Sequence, residues 1–134
     1  MKKQIAIVTS ATGGLGKEFV KLLLEEDIDE IWAIARSREK LDTLKETYGN
    51  QIQIYPLDIS DRNQYEFIKT KLKKENPQIK YLINNAGSAR FCSYDDISIE
   101  DSLNMIDLNI GAAVAIGLEC IPYMPEISYI INIA

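Results

Sequence analysis

Short apolar, β-branched stretches alternate along this 134-residue chain with stretches that have helical spacing. The first kind predicts strands at residues 4–9, 30–35, 51–57, 80–85 and 128–134. The second kind predicts helices at residues 14–26, 38–48 and 60–75, and a fourth that extends to about Leu118 or Ile121. Strands that alternate with helices form βαβ units, so we expect an α/β fold with a parallel sheet covered on both faces. No repeat or linker interrupts this order, which predicts a single domain over residues 1–134.

Two of the helix starts have polar residues that are typical caps. Ser60 or Asp61 is predicted to cap the third helix, and Ser98 with Asp101 resembles a capping box that opens the fourth.

Composition excludes several classes of protein. The chain is 46% hydrophobic and 26% charged, which is typical of a soluble globular protein, and its net charge of −5 argues against nucleic acid or acidic membrane as a partner. The apolar stretch at residues 110–121 is interrupted by Glu119 and is expected to be too short to span a bilayer.

Cys92 and Cys120 are too far apart for a metal or redox motif, no His is available, and no metal site is expected. We expect both to be reduced thiols packed as small apolar groups in a cytoplasmic protein.

Three glycines lie between the first strand and the first helix. A helix N-terminus has free N–H groups and a partial positive charge, and small residues let a phosphate approach the backbone. Gly13, Gly14 and Gly16 fit this role, with Thr12 as a hydroxyl donor. A tight strand-to-helix turn without a ligand fits the same glycines.

A second site for phosphate is predicted where the second strand ends. Dinucleotide-binding folds place the residue that binds the adenosine ribose there, about twenty residues after the glycine turn. An acid at this point would bond the 2′-hydroxyl, but the chain has Arg36, Ser37 and Arg38. Two guanidiniums beside a hydroxyl suit a 2′-phosphate, although an ordinary solvated loop fits the same residues.

Taken together, five segments resemble the short-chain dehydrogenase/reductase family in order and spacing. They are TSATGGLG at residues 9–16, LDIS at 57–60, NNAG at 84–87, LNIGA at 108–112 and INIA at 131–134. The resemblance implies a Rossmann-like, doubly wound parallel sheet with strand order 3-2-1-4-5, ending before the family's strands 6 and 7. It also implies that a nicotinamide dinucleotide, NADP(H) favoured over NAD(H) by the arginines, contacts three of these segments together with the loop after the second strand. The cofactor-binding residues expected are Ser10, Thr12, Gly13, Gly14, Leu15, Gly16, Arg36, Ser37, Arg38, Asp58, Ile59, Asn85, Ala86 and Gly87.

The resemblance also implies a reaction, a substrate class and an assembly. The family transfers hydride between the nicotinamide and a ketone or secondary alcohol, a small-molecule substrate, and its members are commonly oligomers; we therefore expect a homo-oligomer. Asn109 is implied in a supporting role, since the family's helix Asn holds the active-site Lys through a water. The segment at residues 87–94 forms either part of the substrate pocket or a plain surface loop.

The sequence departs from the family pattern in two places. Ser10 stands where the family has the first glycine of its turn, so Ser10 must adopt that glycine's dihedral angles at some cost or the turn must shift. The family's catalytic Ser and Tyr-x-x-x-Lys follow the INIA strand, which ends this chain. Tyr65 and Lys69 have the Tyr-x-x-x-Lys spacing, but they precede NNAG, and Tyr65, Ile68 and Leu72 are spaced as a core-facing stripe.

Three interpretations therefore remain open from the sequence. The chain is part of a longer NADP(H)-dependent oxidoreductase, which we favour, or a non-catalytic dinucleotide-binding sensor or regulatory module, or an inactive interaction partner. In each case the 134-residue chain alone is predicted to be inactive as a reductase.

Overall fold

The structure is a computed structural model, and it describes residues 2–88 and 91–133. Residues 89–90 of the predicted pocket segment and Ala134 of the INIA segment lie outside the described residues. Strands and main helices alternate along the chain, with the following bounds: β1 Gln4–Thr9, α1 Gly14–Leu23, β2 Glu30–Ala35, α2 Arg38–Tyr48, β3 Ile52–Pro56, α3 Glu66–Glu75, β4 Gln78–Asn84, α4 Ile99–Ile106, α5 Ala112–Cys120 and β5 Tyr129–Asn132.

The strands form one parallel sheet in the order β3-β2-β1-β4-β5, which confirms the predicted fold class and strand order. The chain winds outward from β1 in one direction through β2 and β3, and then in the other through β4 and β5. The reversal leaves a crevice at the carboxyl ends of β1 and β4, where ligands bind in open α/β sheets.

Buried apolar side chains cover both faces of the sheet. Successive residues of a strand point to opposite faces, so Ala6 and Val8 of β1 pack on one side, and Ile5 and Ile7 pack on the other. The first face is covered by α1 and α2, and the second by α3 and α5. Burial on both faces explains why the inner strands read as continuous apolar runs.

The third helix begins later than the sequence predicts. Residues 60–65 form turns, and α3 begins at Glu66, so neither Ser60 nor Asp61 caps it. Asp58 Oδ1 accepts hydrogen bonds from the backbone N–H and hydroxyl of Ser60, and Asp61 Oδ1 accepts one from the N–H of Asn63. Such local side-chain bonds stabilise turns at the expense of helix, which is why the prediction was wrong here.

A longer helical segment precedes β5. Ser98 caps it, since the Ser98 hydroxyl accepts a hydrogen bond from the N–H of Asp101 at 3.0 Å, as predicted. It runs through α4, a π-helical turn at Asp107–Gly111, α5 and a final turn. The whole segment Ile99–Tyr123, which is longer than the apolar stretch considered in the sequence, is long and apolar enough by length and composition to cross a membrane. This is weak evidence for a span, because core helices meet the same criteria and α5 packs on the sheet.

Three side chains bear on predictions made above. Tyr65 is partly buried against the core with Ile68 and Leu72, so it lies in a structural stripe. Cys120 is buried in the same cluster as expected. Cys92 is exposed, contrary to prediction, because it lies in the loop after β4 and not on an element that packs on the sheet.

Candidate functional site

A cavity of about 520 Å³ opens at the carboxyl edge of the sheet, above the reversal between β1 and β4. Four predicted segments meet there: the glycine turn, the end of β2, the segment after β3 and the segment after β4. The cavity is lined by Ser10, Thr12, Gly13, Ile34, Ala35, Arg36, Ser37, Lys40, Leu57, Asp58, Ile59, Ala86, Gly87, Ser88 and Leu108.

The turn after β1 adopts the conformation that a glycine would favour. Ser10 has φ of 49°, a left-handed conformation that costs a residue with a side chain about 1–2 kcal/mol. The N–H of Gly13 closes the turn on the carbonyl oxygen of Ser10 at 3.2 Å. Ser10 therefore adopts the dihedral region that a glycine favours, at the cost expected from the sequence.

The three glycines of this turn have different roles. Gly16 is buried, and a Cβ there would overlap the backbone at Ser10 and approach the Cα of Ala11 within 2.9 Å. Gly13 and Gly14 are exposed, and a Cβ on Gly14 would have open space around it. Close packing of helix against strand thus requires Gly16, while the protein itself leaves room beside Gly13 and Gly14, where a phosphate would approach.

Thr9 ties the end of β4 to the end of β1. Its hydroxyl oxygen accepts hydrogen bonds from the N–H of Asn85 at 2.9 Å and of Ala86 at 2.8 Å. The Asn85 side chain donates to the carbonyl oxygen of Ser10 at 3.4 Å. Asn85 therefore stabilises the glycine turn through this hydrogen bond, whereas Ala86 and Gly87 line the cavity.

Asn109 lies in the π-helical turn and holds the segment after β4 in place. Its Oδ1 accepts a hydrogen bond from the N–H of Ser88 at 2.7 Å, and its Nδ2 donates to the carbonyl oxygen of Ser88 at 2.8 Å. A Cβ on Gly87 would lie 3.0 Å from Asn109 Oδ1, so Gly87 lets the amide approach. The described geometry gives Asn109 a positioning contact with the cavity wall.

The end of β2 contributes cations to the cavity. Arg36 and Ser37 line it, and so does Lys40 from the first turn of α2. Arg38 is exposed on the same turn and is not among the lining residues. The Ser37 hydroxyl accepts a hydrogen bond from the N–H of Lys40 at 3.2 Å and so caps α2.

The segment after β3 is held by its own polar groups. The N–H of Asp58 donates to Gln64 Oε1 at 2.6 Å, and Asp58 Oδ1 accepts the hydroxyl of Ser60 at 2.6 Å. Ile59 is buried at 4% exposure and anchors the segment in the core. Asp58 is therefore fixed at the cavity wall instead of being free in a mobile loop.

Nine of the predicted cofactor residues line this cavity. They are Ser10, Thr12, Gly13, Arg36, Ser37, Asp58, Ile59, Ala86 and Gly87. The structure does not bring Gly14, Leu15, Gly16, Arg38 or Asn85 to the lining. Six lining residues were not among the predicted ones: Ile34, Ala35, Lys40, Leu57, Ser88 and Leu108. Leu57 and Leu108 lie within the segments of the family resemblance, and Lys40 is the charged residue of the six.

No metal centre accompanies the cavity in the described part of the chain, where no three His, Cys, Asp or Glu side chains group together in a way that could hold an ion.

Comparison with known proteins identifies the family. The family described as short chain dehydrogenase matches residues 4–134. The chain is 33% identical over 132 residues to the NADP-dependent 3-hydroxy acid dehydrogenase YdfG of Escherichia coli, covering 96% of this chain and 53% of that protein. It is 26% identical to benzil reductase ((S)-benzoin forming) of Saccharomyces cerevisiae over 138 residues, covering 97% of this chain and 52% of that protein.

A solved structure, the closed form of serine dehydrogenase complexed with NADP+, superimposes with a TM-score of 0.74 at 30% identity, over 88% of this chain and 48% of that one. The chain thus belongs to the short-chain dehydrogenase family, an oxidoreductase family that binds nicotinamide cofactors and acts on small molecules. It spans about half the length of the curated relatives that it matches.

Proposed function

We propose that this chain forms the NADP(H)-binding portion of a short-chain reductase that transfers hydride between the nicotinamide and a ketone or secondary alcohol. One observation carries the proposal: a single cavity at the carboxyl edge of the sheet brings together the glycine turn, the Arg36–Ser37 pair and Asp58–Ile59. These are the three parts that a phosphorylated dinucleotide requires, because it presents a pyrophosphate, a ribose phosphate and an adenine.

Each part of the cavity suits one part of the cofactor. The N–H groups at the start of α1 and the Thr12 hydroxyl would bind the pyrophosphate beside Gly13. The Arg36 guanidinium and the Ser37 backbone would bind the 2′-phosphate, and the walls at Asp58 and Ile59 would hold the adenine. When bound, the cofactor supplies or accepts the hydride, and the protein orients it.

The relatives support the choice of cofactor. YdfG is NADP-dependent by name, and the serine dehydrogenase structure contains NADP+. Both are at least 30% identical to this chain. We also propose that the whole protein acts on a carbonyl compound or the corresponding alcohol. We propose further that it is cytoplasmic and assembles as a homo-oligomer.

Isothermal titration with NADPH and NADH, using the wild-type chain and Arg36→Ala, tests the proposal. Loss of a charge-assisted phosphate contact costs about 1.5–3 kcal/mol, so the variant should bind NADPH roughly ten- to hundredfold more weakly. NADH lacks the 2′-phosphate, so its affinity should hardly change, and it serves as the internal control. Equal losses for the two cofactors would show that Arg36 does not bind the 2′-phosphate.

Cofactor binding and catalysis are assigned to different residues in this proposed function. In the family, the catalytic Ser polarises the carbonyl and the Lys lowers the pKa of the Tyr, so that the phenol exchanges a proton near neutral pH. We assign Asn109 only a supporting role in this arrangement. The 134-residue chain should therefore bind NADPH without oxidising it in the presence of a panel of ketones. Ketone-dependent oxidation that Tyr65→Phe abolished would contradict this division, because it would make Tyr65 catalytic.

A further inference from the structure

We propose that Lys40, and not Arg38, is the second cation that binds the cofactor's 2′-phosphate and makes the site prefer NADP(H) to NAD(H). This inference rests on the proposed function, because it assigns a residue within the same cavity. The observation behind it is that Arg36, Ser37 and Lys40 line the cavity together, while Arg38 does not.

The geometry of α2 explains why only one of the two side chains reaches the cavity. The helix begins at Arg38, so Arg38 and Lys40 are two positions apart within it, with Glu39 between them. Side chains two positions apart lie about 200° around the helix axis from each other and do not share a face. A helix that presents Lys40 to the cavity therefore points Arg38 nearly the opposite way.

The position of Lys40 is fixed relative to Arg36 by a local bond. Ser37 has an extended backbone, and its hydroxyl accepts the N–H of Lys40 at 3.2 Å. This cap links the residue next to Arg36 directly to the first turn of α2. Arg36 thus directly precedes the capping residue Ser37, Lys40 follows it by three positions, and both residues line the same cavity.

The two cations of the cavity lining have no ion-pair partner in the described part of the chain. Neither Arg36 nor Lys40 forms an ion pair with a carboxylate over residues 2–88 and 91–133. Asp58 is the acidic residue of the lining, and its Oδ1 already accepts two hydrogen bonds from Ser60. Two unpaired cations at one wall match the two negative charges of a phosphate monoester near neutral pH.

A neighbouring groove shows that Lys40 lies at the edge of the cavity. This groove of about 350 Å³, between α1 and α2, is lined by Lys17, Ser37, Glu39, Lys40, Thr43, Leu44, Thr47 and Tyr48. Ser37 and Lys40 line both spaces, so they form the boundary between them, whereas Glu39 lines the groove alone. The acidic neighbour of Lys40 is thus on the far side of the boundary from the proposed phosphate.

Titration of three variants with NADPH and NADH tests the assignment: Lys40→Ala, Lys40→Arg and Arg38→Ala. Lys40 is exposed, so solvent screens its contact, and we expect Lys40→Ala to weaken NADPH binding by about three- to tenfold. Lys40→Arg keeps the charge and should keep most of the affinity. Arg38→Ala should change NADPH binding by less than about twofold, and NADH binding should stay constant throughout.

The outcomes separate this assignment from the proposed function. If the wild-type chain prefers NADPH and Lys40→Ala retains that preference, or if Arg38→Ala causes the larger loss, the assignment of Lys40 is overturned alone. If the wild-type chain binds NADPH no better than NADH, the proposed cofactor choice falls, and Lys40 falls with it. Thermal unfolding of each variant, monitored by circular dichroism, verifies that binding is compared between folded proteins.

Discussion

A Cβ atom placed on Gly16 would overlap the main-chain carbonyl oxygen of Ser10. This contact fixes how closely α1 packs on the end of β1, and therefore where the N–H groups at the start of α1 point. Ser10, which has a left-handed φ, belongs to the same contact, because its carbonyl oxygen also accepts the hydrogen bond from the N–H of Gly13 that closes the turn. The turn thus combines a serine in a strained conformation with a glycine at which a side chain would force the backbone to move.

The contact predicts different effects of alanine substitution on stability at two glycines of α1. Gly16→Ala should lower the free energy of unfolding by about 1–3 kcal/mol or more, since backbone atoms must move to admit the methyl group. Gly14→Ala has open space around its Cβ and should leave stability unchanged or slightly raised. Urea unfolding measures both, and a Gly16→Ala variant as stable as Gly14→Ala would contradict the packing.

The pair of hydrogen bonds between Asn109 and Ser88 predicts a second stability effect. Asn109→Asp keeps the acceptor for the Ser88 N–H but replaces the donor by an oxygen facing the Ser88 carbonyl. The variant should be less stable by about 1–2 kcal/mol, with faster hydrogen exchange at the Ser88 amide. Asn104→Asp, an exposed change of the same charge on α4, is the matched control. Unaltered exchange at Ser88 in Asn109→Asp would show that the clamp has no role in ordering this segment.

The two cysteines should differ in reactivity. Burial raises the pKa of the Cys120 thiol to about 12, with a smaller contribution from Glu119, whereas Cys92 is exposed. The thiolate is the reactive form, so at pH 8 a thiol reagent should label Cys92 quickly and Cys120 only on unfolding. Rapid labelling of Cys120 in the native protein would place α5 away from the sheet.

The raised pKa of Cys120 also predicts how the free energy of unfolding changes with pH. The unfolded thiol loses its proton above its ordinary pKa near 9, while the folded thiol keeps it until about pH 12. The unfolded state therefore binds fewer protons in this window, and the contribution of Cys120 to stability falls as pH rises through it. Cys120→Ala should remove this part of the alkaline loss, which unfolding curves between pH 8 and 11 would reveal.

The long helix predicts self-association of the 134-residue chain. Its exposed apolar side chains recur at helical spacing, and they are Ile99, Leu103, Ile106, Ile110, Val114 and Leu118. The β5 edge strand is also exposed and carries Ile130 and Ile131. Such surfaces are rarely left open to water, so sedimentation at micromolar concentration should reveal dimers or larger species.

Charge substitutions locate the associating surface. Leu103→Glu should shift the chain toward monomer, while Leu22→Glu, an equally exposed leucine on α1 across the sheet, should not. A monomeric wild-type chain with cooperative thermal unfolding would contradict the association.

The sequence predicted the sheet and its order because each inner strand is a continuous β-branched run between amphipathic helices. It also predicted the cap at Ser98, where hydroxyl and helix start are adjacent in the chain. It failed at the start of α3, since Asp58, Asp61 and Gln64 bind their own neighbours, and these side-chain bonds outweigh the helical periodicity.

The site was predictable in its segments but not in its individual contacts. Arg36 and Arg38 look equivalent in the sequence, and only the direction of α2 separates them. Lys40 follows by two residues and is recognisable only when helical rotation is considered. The role of Gly16 similarly depends on the distance between α1 and β1, which glycine spacing alone does not give.

The most direct test of the account is to map NADPH onto the 15N-labelled chain by nuclear magnetic resonance, with NADH titrated in parallel. We expect saturable shifts of the amides at Gly13, Gly14, Ser37 and Ile59 and in the segment 86–88, at lower NADPH than NADH concentration. The amides of β5 and of Thr47 and Tyr48 in the last turn of α2 should not move. Absence of saturable shifts, or shifts centred away from the carboxyl edge of β1 and β4, would contradict the claim that this cavity binds the cofactor.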